Sequence, residues 1–310
     1  MKLKIGTRGS KLALWQAEYV AQRLAKGGID TEIIKIETRG DKKLDVSIAE
    51  IGTKGVFTEE IEHQLSRGTI DIAVHSAKDM QSELPEAFEL IAFTEREKVN
   101  DVLVSHQRNL NLEDTSKAWV IGTSSARRKA LLKHYYPHVD TVEMRGNLQT
   151  RISKMEAGNC DAMLLAYAGV HRMGYHPMIV HEFDIAKFTP AVGQGSVAVE
   201  AMKSMEPELK MKINHWVADQ ESSQRLIAER AFLKTLRGGC SIPVFALAEV
   251  RSDQLLIRGG IISLDGRQML REEISGPLNE GGDLGKQLAE TLLGQGGEQI
   301  LAEIRNQMGY

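Results

Sequence analysis

The feature that most constrains this chain is that it repeats itself in order. Ile5-Gly6-Thr7 returns as Ile121-Gly122-Thr123, and Glu37-Thr38-Arg39-Gly40-Asp41 is echoed by Glu143-Met144-Arg145-Gly146-Asn147. Gly68-Thr69-Ile70-Asp71-Ile72-Ala73-Val74 pairs with Gly158-Asn159-Cys160-Asp161-Ala162-Met163-Leu164. Three short matches in one order imply two units of similar topology, the second with shorter connections. At 310 residues the chain has room for a third unit.

The local pattern within each half alternates strand and helix. Residues Lys2 to Gly6 read as extended. Ser10 to Lys26 reads as a helix with Leu14, Ala17, Ala21 and Leu24 on one stripe, and Thr31 to Glu37 reads as extended again. This predicts α/β units built on open parallel sheets, which bind ligands beyond the carboxyl ends of their strands. The loops Thr7 to Ser10, His75 to Asp79, Thr123 to Arg128 and Arg145 to Arg151 therefore hold the candidate site.

From about Ser222 the pattern changes to a helix ending near Leu236 and a Gly238-Gly239-Cys240 turn. Strands follow around Val244 to Val250, Gln254 to Ser263 and Gln268 to Ser275, and then two helices. This predicts a small α+β unit. The expected division is 1–95 with 196–217 as the first domain, 96–195 as the second and 218–310 as the third, and Asp184 to Gly195 reads as a crossing between domains.

Composition narrows the function. Hydrophobic residues at 42% and charged residues at 26% exclude disorder. A net charge of −3 gives the surface as a whole no attraction for a nucleic-acid backbone. The start lacks an apolar signal-peptide core, and the longest apolar stretch, Ala162 to Val170, is far short of the roughly 18 residues that span a bilayer, so a cytoplasmic location is expected. Only Cys160 and Cys240 are present, which excludes a disulfide framework. His171, His176 and His181 lack metal-ligand spacing, and no metal is expected.

Thr7-Arg8-Gly9-Ser10 and Thr123-Ser124-Ser125-Ala126-Arg127-Arg128 each join a strand to a helix start. Their hydroxyls suit ordinary helix caps. Arginines in a first helical turn oppose the macrodipole and require a compensating anion. With Arg145, Arg151, Arg172, Lys54 and Lys78 from neighbouring loops they form a candidate basic lining for a ligand with several negative charges, phosphate or carboxylate. The Gly193-Gln194-Gly195 fragment is too short to signal a nucleotide fold. Asp79, following the strand Ile70 to Val74, is a lone carboxylate among cations, suited to stabilising a developing cation or relaying a proton, although such a residue also caps turns. Cys240 sits on a flexible turn, open either to reactivity or to packing, whereas Cys160 reads as structural.

Taken together, Thr7-Arg8-Gly9-Ser10, Thr38-Arg39-Gly40-Asp41, Lys54-Gly55-Val56-Phe57, Val74-His75-Ser76-Ala77-Lys78-Asp79 and Gly122-Thr123-Ser124-Ser125-Ala126-Arg127-Arg128 resemble the porphobilinogen deaminase (hydroxymethylbilane synthase) family. Arg145-Gly146-Asn147, Pro190-Ala191-Val192-Gly193-Gln194-Gly195 and Gly238-Gly239-Cys240 extend the resemblance nearly end to end. It implies two lobes like those of a periplasmic binding protein and a third domain that presents Cys240. It also implies a covalent dipyrromethane cofactor on Cys240 through a thioether, four additions of porphobilinogen with loss of ammonia, and hydrolysis to hydroxymethylbilane in heme biosynthesis.

On this resemblance Asp79 and Lys78 are the catalytic pair. The cofactor is held by Cys240, Arg127, Arg128, Ser125, Lys78, Asp79, Thr123 and Arg145, and the substrate by Arg8, Ser10, Arg145, Arg151, Arg172, Phe57 and Gln194. The stretch from Asp41 to Phe57 reads as a lid. The expected enzyme is a monomer that takes a small-molecule substrate and engages neither nucleic acid nor membrane. The alternative is a non-catalytic two-lobed binding protein or sensor for a small polyanion. The chain departs from the family pattern at Met80-Gln81, where an apolar residue and Pro are common, which predicts a slacker loop beyond Asp79. It also departs at Ala77, Arg237 and Ser241.

Overall fold

A computed structural model describes residues 2–42, 58–239 and 241–309. Lys54 and Phe57, most of the expected lid, and Cys240 lie outside the described residues.

The N-terminal lobe starts with β1 (Leu3–Arg8), α1 (Lys11–Lys26), β2 (Thr31–Ile36), the helical turn α2 (Arg39–Lys42), α3 (Glu59–Ser66), β3 (Ile72–Ser76) and β4 (Phe88–Phe93). The second lobe holds β5 (Asp101–Val104), β6 (Val120–Gly122), α4 (Ala126–Tyr135), β7 (Asp140–Val142), α5 (Leu148–Glu156), β8 (Ala162–Ala166), α6 (Tyr167–Arg172) and β9 (Ile179–Glu182). The chain then returns to the first lobe as β10 (Val197–Met202) and α7 (Pro207–Val217).

The sheet orders are β2-β1-β3-β10-β4 and β7-β6-β8-β5-β9. The repeat read from sequence is thus a repeat of topology, with Gly6 and Gly122 at matching positions on β1 and β6, the second strand of each sheet. Gly6 lies opposite Ala73 and Gly122 opposite Met163. The expectation of parallel sheets needs correction, because β10 runs antiparallel to β3 and β4, and β5 runs antiparallel to β8 and β9. Both strands enter directly from a crossing between lobes, and without a helical crossover a strand has no route to a parallel position.

Other local readings also shift. The buried face of α1 is Gln16, Ala17, Val20 and Leu24 rather than the stripe through Leu14 and Ala21, because the helix turns the polar Gln16 inward. His75 and Ser76, read as loop, complete β3 by pairing with Ala198 and Val197 of β10, a partner distant in sequence.

The C-terminal unit comprises α8 (Gln220–Thr235), the antiparallel sheet β11 (Val244–Arg251), β12 (Gln254–Ile262) and β13 (Met269–Pro277), and the helices α9 (Gly281–Leu292) and α10 (Glu298–Met308). Its core joins Phe232, Leu288, Leu292 and Leu301 to Ile257 and Ile261 of the sheet.

This unit grips both crossings through one buried carboxylate. Glu229 of α8 pairs with Arg96 of the outgoing crossing, accepts the Gly193 amide of the returning crossing at 2.8 Å, and accepts the Ala248 amide of β11 at 2.8 Å. Arg96 also donates from Nε to the Gln194 carbonyl at 2.9 Å. Gly193 and Gly195 meet a backbone requirement here. Their φ values are +75° and +98°, and a Cβ on Gly195 would lie 2.4 Å from the Glu97 carbonyl oxygen.

Candidate active site

The carboxyl ends of β1 and β3 face the loops and helix starts of the second lobe across a cleft of about 270 Å³ lined by Arg8, Ser10, Lys78, Asp79, Arg145 and Arg151. Five of these six came from strand ends or the loops directly after them, where an α/β sheet gathers its ligands. Arg151 lies in the first turns of α5, whose cap Asn147 accepts the Thr150 amide at 2.9 Å.

Lys78 and Asp79 belong to a single helical turn, Ala77–Asp79, projecting from β3. Burial pushes the Lys78 ammonium down from its ordinary value; Asp79 opposes that shift, while Arg128 and Arg151 reinforce it. Arg151 is pushed down to about 10 by burial and by Arg128, with Asp79 opposing. The Asp79 carboxylate therefore acts on two cations at once. Two guanidinium nitrogens on the cleft, Arg145 Nη1 and Arg151 Nε, are buried with no hydrogen-bond partner among the described residues. Such donors are costly unless an acceptor is supplied.

Lys78 also reaches a second small cavity, where it meets Ser125, Arg127 and Gly239, the residue before Cys240. A third cavity behind the cleft joins Lys78, Arg128, Arg151, Arg172 and Gln194. Lys78 thus lines all three spaces.

Arg127 and Arg128 find their compensating anion inside the protein. Asp101, fully buried at the start of β5, accepts from Arg128 Nε at 3.0 Å and Nη2 at 2.7 Å, and its Oδ2 lies 2.8 Å from Arg127 Nη2. Burial alone would raise the Asp101 carboxyl, but the two guanidinium groups, the Arg128 hydrogen bond and Gln194 hold it at about 2. Two cations against one anion leave this buried cluster with a net positive charge. Asp101 was missed in the sequence because it opens a strand rather than following one, and its pairing with Arg128 spans 27 positions.

Several candidates stand in supporting positions. The Ser10 and Ser125 hydroxyls cap α1 and α4 by accepting the Ala13 and Arg128 amides. Thr123 is buried, and its hydroxyl accepts the Ser125 amide at 3.3 Å. Gln194 is buried in the crossing, donating to the Val99 carbonyl at 2.7 Å and to Asp101 at 3.0 Å. Arg172 donates to the Gly195 carbonyl at 2.7 Å and stacks over Trp15 at 4.9 Å, on the cavity behind the cleft. Cys160 is buried, and desolvation pushes its thiol up to about 11.

The loop beyond Asp79 is not slack. Met80 is 3% exposed, and Gln81 is hydrogen-bonded by its side chain and its carbonyl. Sequence reading also missed Gln16, whose amide exchanges hydrogen bonds with Ser76 at 2.9 and 3.3 Å on the cleft wall. A polar residue on an apolar helical stripe was the available signal.

Residues 3–210 match the family model described as porphobilinogen deaminase, dipyrromethane cofactor binding domain, and residues 223–294 match the porphobilinogen deaminase C-terminal domain. A porphobilinogen deaminase of Desulfosudis oleivorans is 53% identical over 307 residues, covering 99% of each chain. One from Cytophaga hutchinsonii is 54% identical over 303 residues, covering 98% of this chain and 97% of the relative. Among solved structures, the second substrate binding domain of a putative amino acid ABC transporter from Streptococcus pneumoniae covers 69% of this chain and 91% of its own at 15% identity, with a TM-score of 0.44.

Proposed function

We propose that this chain, which belongs to the porphobilinogen deaminase family and is a transferase of tetrapyrrole biosynthesis, builds hydroxymethylbilane on a dipyrromethane anchored by the Cys240 sulfur, with Asp79 and Lys78 performing the acid–base chemistry. The observation that carries the site assignment is the cleft itself. An Asp79 carboxylate lies among Lys78, Arg145 and Arg151, and two of the guanidinium donors are buried without a hydrogen-bond partner among the described residues.

The donor set fits the cofactor. A dipyrromethane made from porphobilinogen carries acetate and propionate arms, which are planar acceptors for guanidinium pairs. Among the described residues, Arg145 and Arg151 have donors on the cleft with no hydrogen-bond partner, and so has Arg127 Nε, on the cavity that Gly239 lines. Arg127, Arg128, Ser125, Lys78 and Arg145 would hold these arms, with Thr123 supporting Ser125 from beneath. When bound, the cofactor supplies the primer to which successive pyrroles are joined. Arg8, Ser10, Arg151, Arg172 and Gln194 are assigned to the incoming porphobilinogen, directly or by shaping the wall behind it, and Phe57 keeps its assignment from the sequence.

The chain's own groups account for the remaining work. Asp79 stabilises positive charge as ammonia leaves porphobilinogen and carries protons to and from the pyrrole nitrogen. Lys78, with its ammonium destabilised by burial, is poised to give up a proton to the departing amine. The guanidinium lining neutralises carboxylates that accumulate with each addition. Family membership across nearly the whole chain sets aside the non-catalytic polyanion clamp.

The domain division at 95/96, 195/196 and 217/218, a monomeric state and a cytoplasmic location belong to the same proposal. No helix among the described residues is long and apolar enough to cross a membrane. The net charge of −3 supports a small-molecule substrate over nucleic acid.

Intact mass tests the reading. The purified chain should exceed its polypeptide mass by a dipyrromethane, Cys240→Ser should not, and Asp79→Asn should keep the adduct while losing turnover by about 10² to 10⁴-fold. A Cys240→Ser chain that carries the adduct, or an Asp79→Asn enzyme at parental rate, defeats it.

A further inference from the structure

The catalytic turn is held at both ends by a buried polar cluster. At its entrance, His75 Nε2 lies 3.1 Å from Glu200 Oε2, and both side chains are buried. At its exit, the Met80 amide donates to the Ala77 carbonyl at 3.3 Å, closing the turn. Gln81 follows and is tied to two units of the protein. Its side-chain Nε2 donates to Thr58 Oγ1 at 3.0 Å and to Glu62 Oε1 at 3.2 Å, both in or just before α3. Its carbonyl accepts from Arg230 Nη2 of α8 at 2.8 Å.

Glu62 is buried, and burial together with the Glu200 charge raises its carboxyl above the ordinary value. The hydrogen bond from Gln81 does not depend on that titration, since Oε1 remains an acceptor in either protonation state. Both side-chain amide hydrogens of Gln81 are thus committed to fixed, buried partners.

We propose that Gln81 is a positioning residue, whose ties to α3 and α8 hold the aim of Lys78 and Asp79. It does by hydrogen bonding what a proline at this position does by restricting the backbone. The inference rests on the reading of Asp79 and Lys78 as the catalytic pair. Backbone geometry makes the comparison testable: Met80 has φ −74° and ψ 141°, the extended region that a residue before proline adopts.

The experiment measures porphobilinogen turnover by the cofactor-loaded enzyme as Gln81→Leu, Gln81→Pro and Asp79→Asn. Gln81→Leu should lower kcat roughly tenfold while KM stays within about twofold and the intact mass still includes the cofactor. Gln81→Pro should return kcat to within about twofold of the parent. A Gln81→Leu enzyme with parental kcat, or a Gln81→Pro enzyme as slow as Gln81→Leu, overturns the proposal. If Gln81→Leu does not fold, the near-isosteric Gln81→Met, which also lacks the amide donors, decides in its place, with a roughly tenfold loss of kcat supporting the proposal and parental kcat overturning it. Asp79→Asn separates the two levels. Parental turnover there overturns the site reading and this inference together, whereas an inactive Asp79→Asn beside a parental Gln81→Leu overturns the positioning role alone.

Discussion

Replacing Asp101 by Asn removes one negative charge and almost no volume, yet it should be among the most damaging single changes in the second lobe. Arg127 and Arg128 are 4% and 5% exposed, and Asp101 is fully buried between them. Asn offers one carbonyl acceptor where the carboxylate offered two, and its amide hydrogens face a guanidinium. Two buried cations are left without a counter-charge, a change that costs about 3–5 kcal/mol.

The carboxyl's own titration gives a figure of similar size. Holding it at about 2 instead of 3.8, at 1.36 kcal/mol per pH unit, contributes on the order of 2 kcal/mol. Because the folded value is depressed, that contribution is complete above pH 3.8 and is lost as pH falls through about 2. At 2–4 °C per kcal/mol, Asp101→Asn should lower Tm by roughly 10 °C at neutral pH. Thermal unfolding followed by circular dichroism measures this directly. Adding Arg127→Gln to Asp101→Asn removes one of the stranded cations and should recover part of the loss. A single variant within about 2 °C of the parent would refute the claim that one carboxylate holds both arginines.

Two further changes probe how the three units are joined. Arg96→Ala leaves Glu229 buried with only the Gly193 and Ala248 amides among the described residues, and should cost about 3–5 kcal/mol; calorimetry should show the C-terminal unit unfolding ahead of the lobes, and an unchanged single transition would contradict this. Gly193→Ala forces a side chain into φ +75° and places its Cβ 2.9 Å from the Ala77 carbonyl carbon. It should cost at least about 1–2 kcal/mol and displace the turn carrying Lys78 and Asp79, so kcat should fall beyond what the Tm change explains. Parental kcat and Tm together would remove Gly193 from the site's support.

Much of the fold was legible because its signals are local. A strand, a capped turn and an amphipathic helix each announce themselves within a few residues, and the same announcement made twice in order predicted two matching sheets. Ser10 and Ser125 were legible as helix starts for the same reason. What escaped the reading were relations between distant positions. The antiparallel entry of β5 and β10 depends on where the chain re-enters each sheet, and the inward turn of Gln16 depends on Ser76, 60 residues away.

The site divides along the same line. Sequence alone determined the repeat, the strand-end loops and the concentration of Arg8, Lys78, Asp79, Arg145 and Arg151 within them, because strand–loop–helix periodicity and helix-terminus charge preferences act over short stretches. Tertiary structure decided that Asp101 answers Arg127 and Arg128, that Glu229 clasps both crossings, and that Gln81 is hydrogen-bonded to α3 and α8 just past the turn carrying Lys78 and Asp79. A charge taken out of water must find its partner in space, wherever along the chain that partner lies, and no local pattern encodes the meeting.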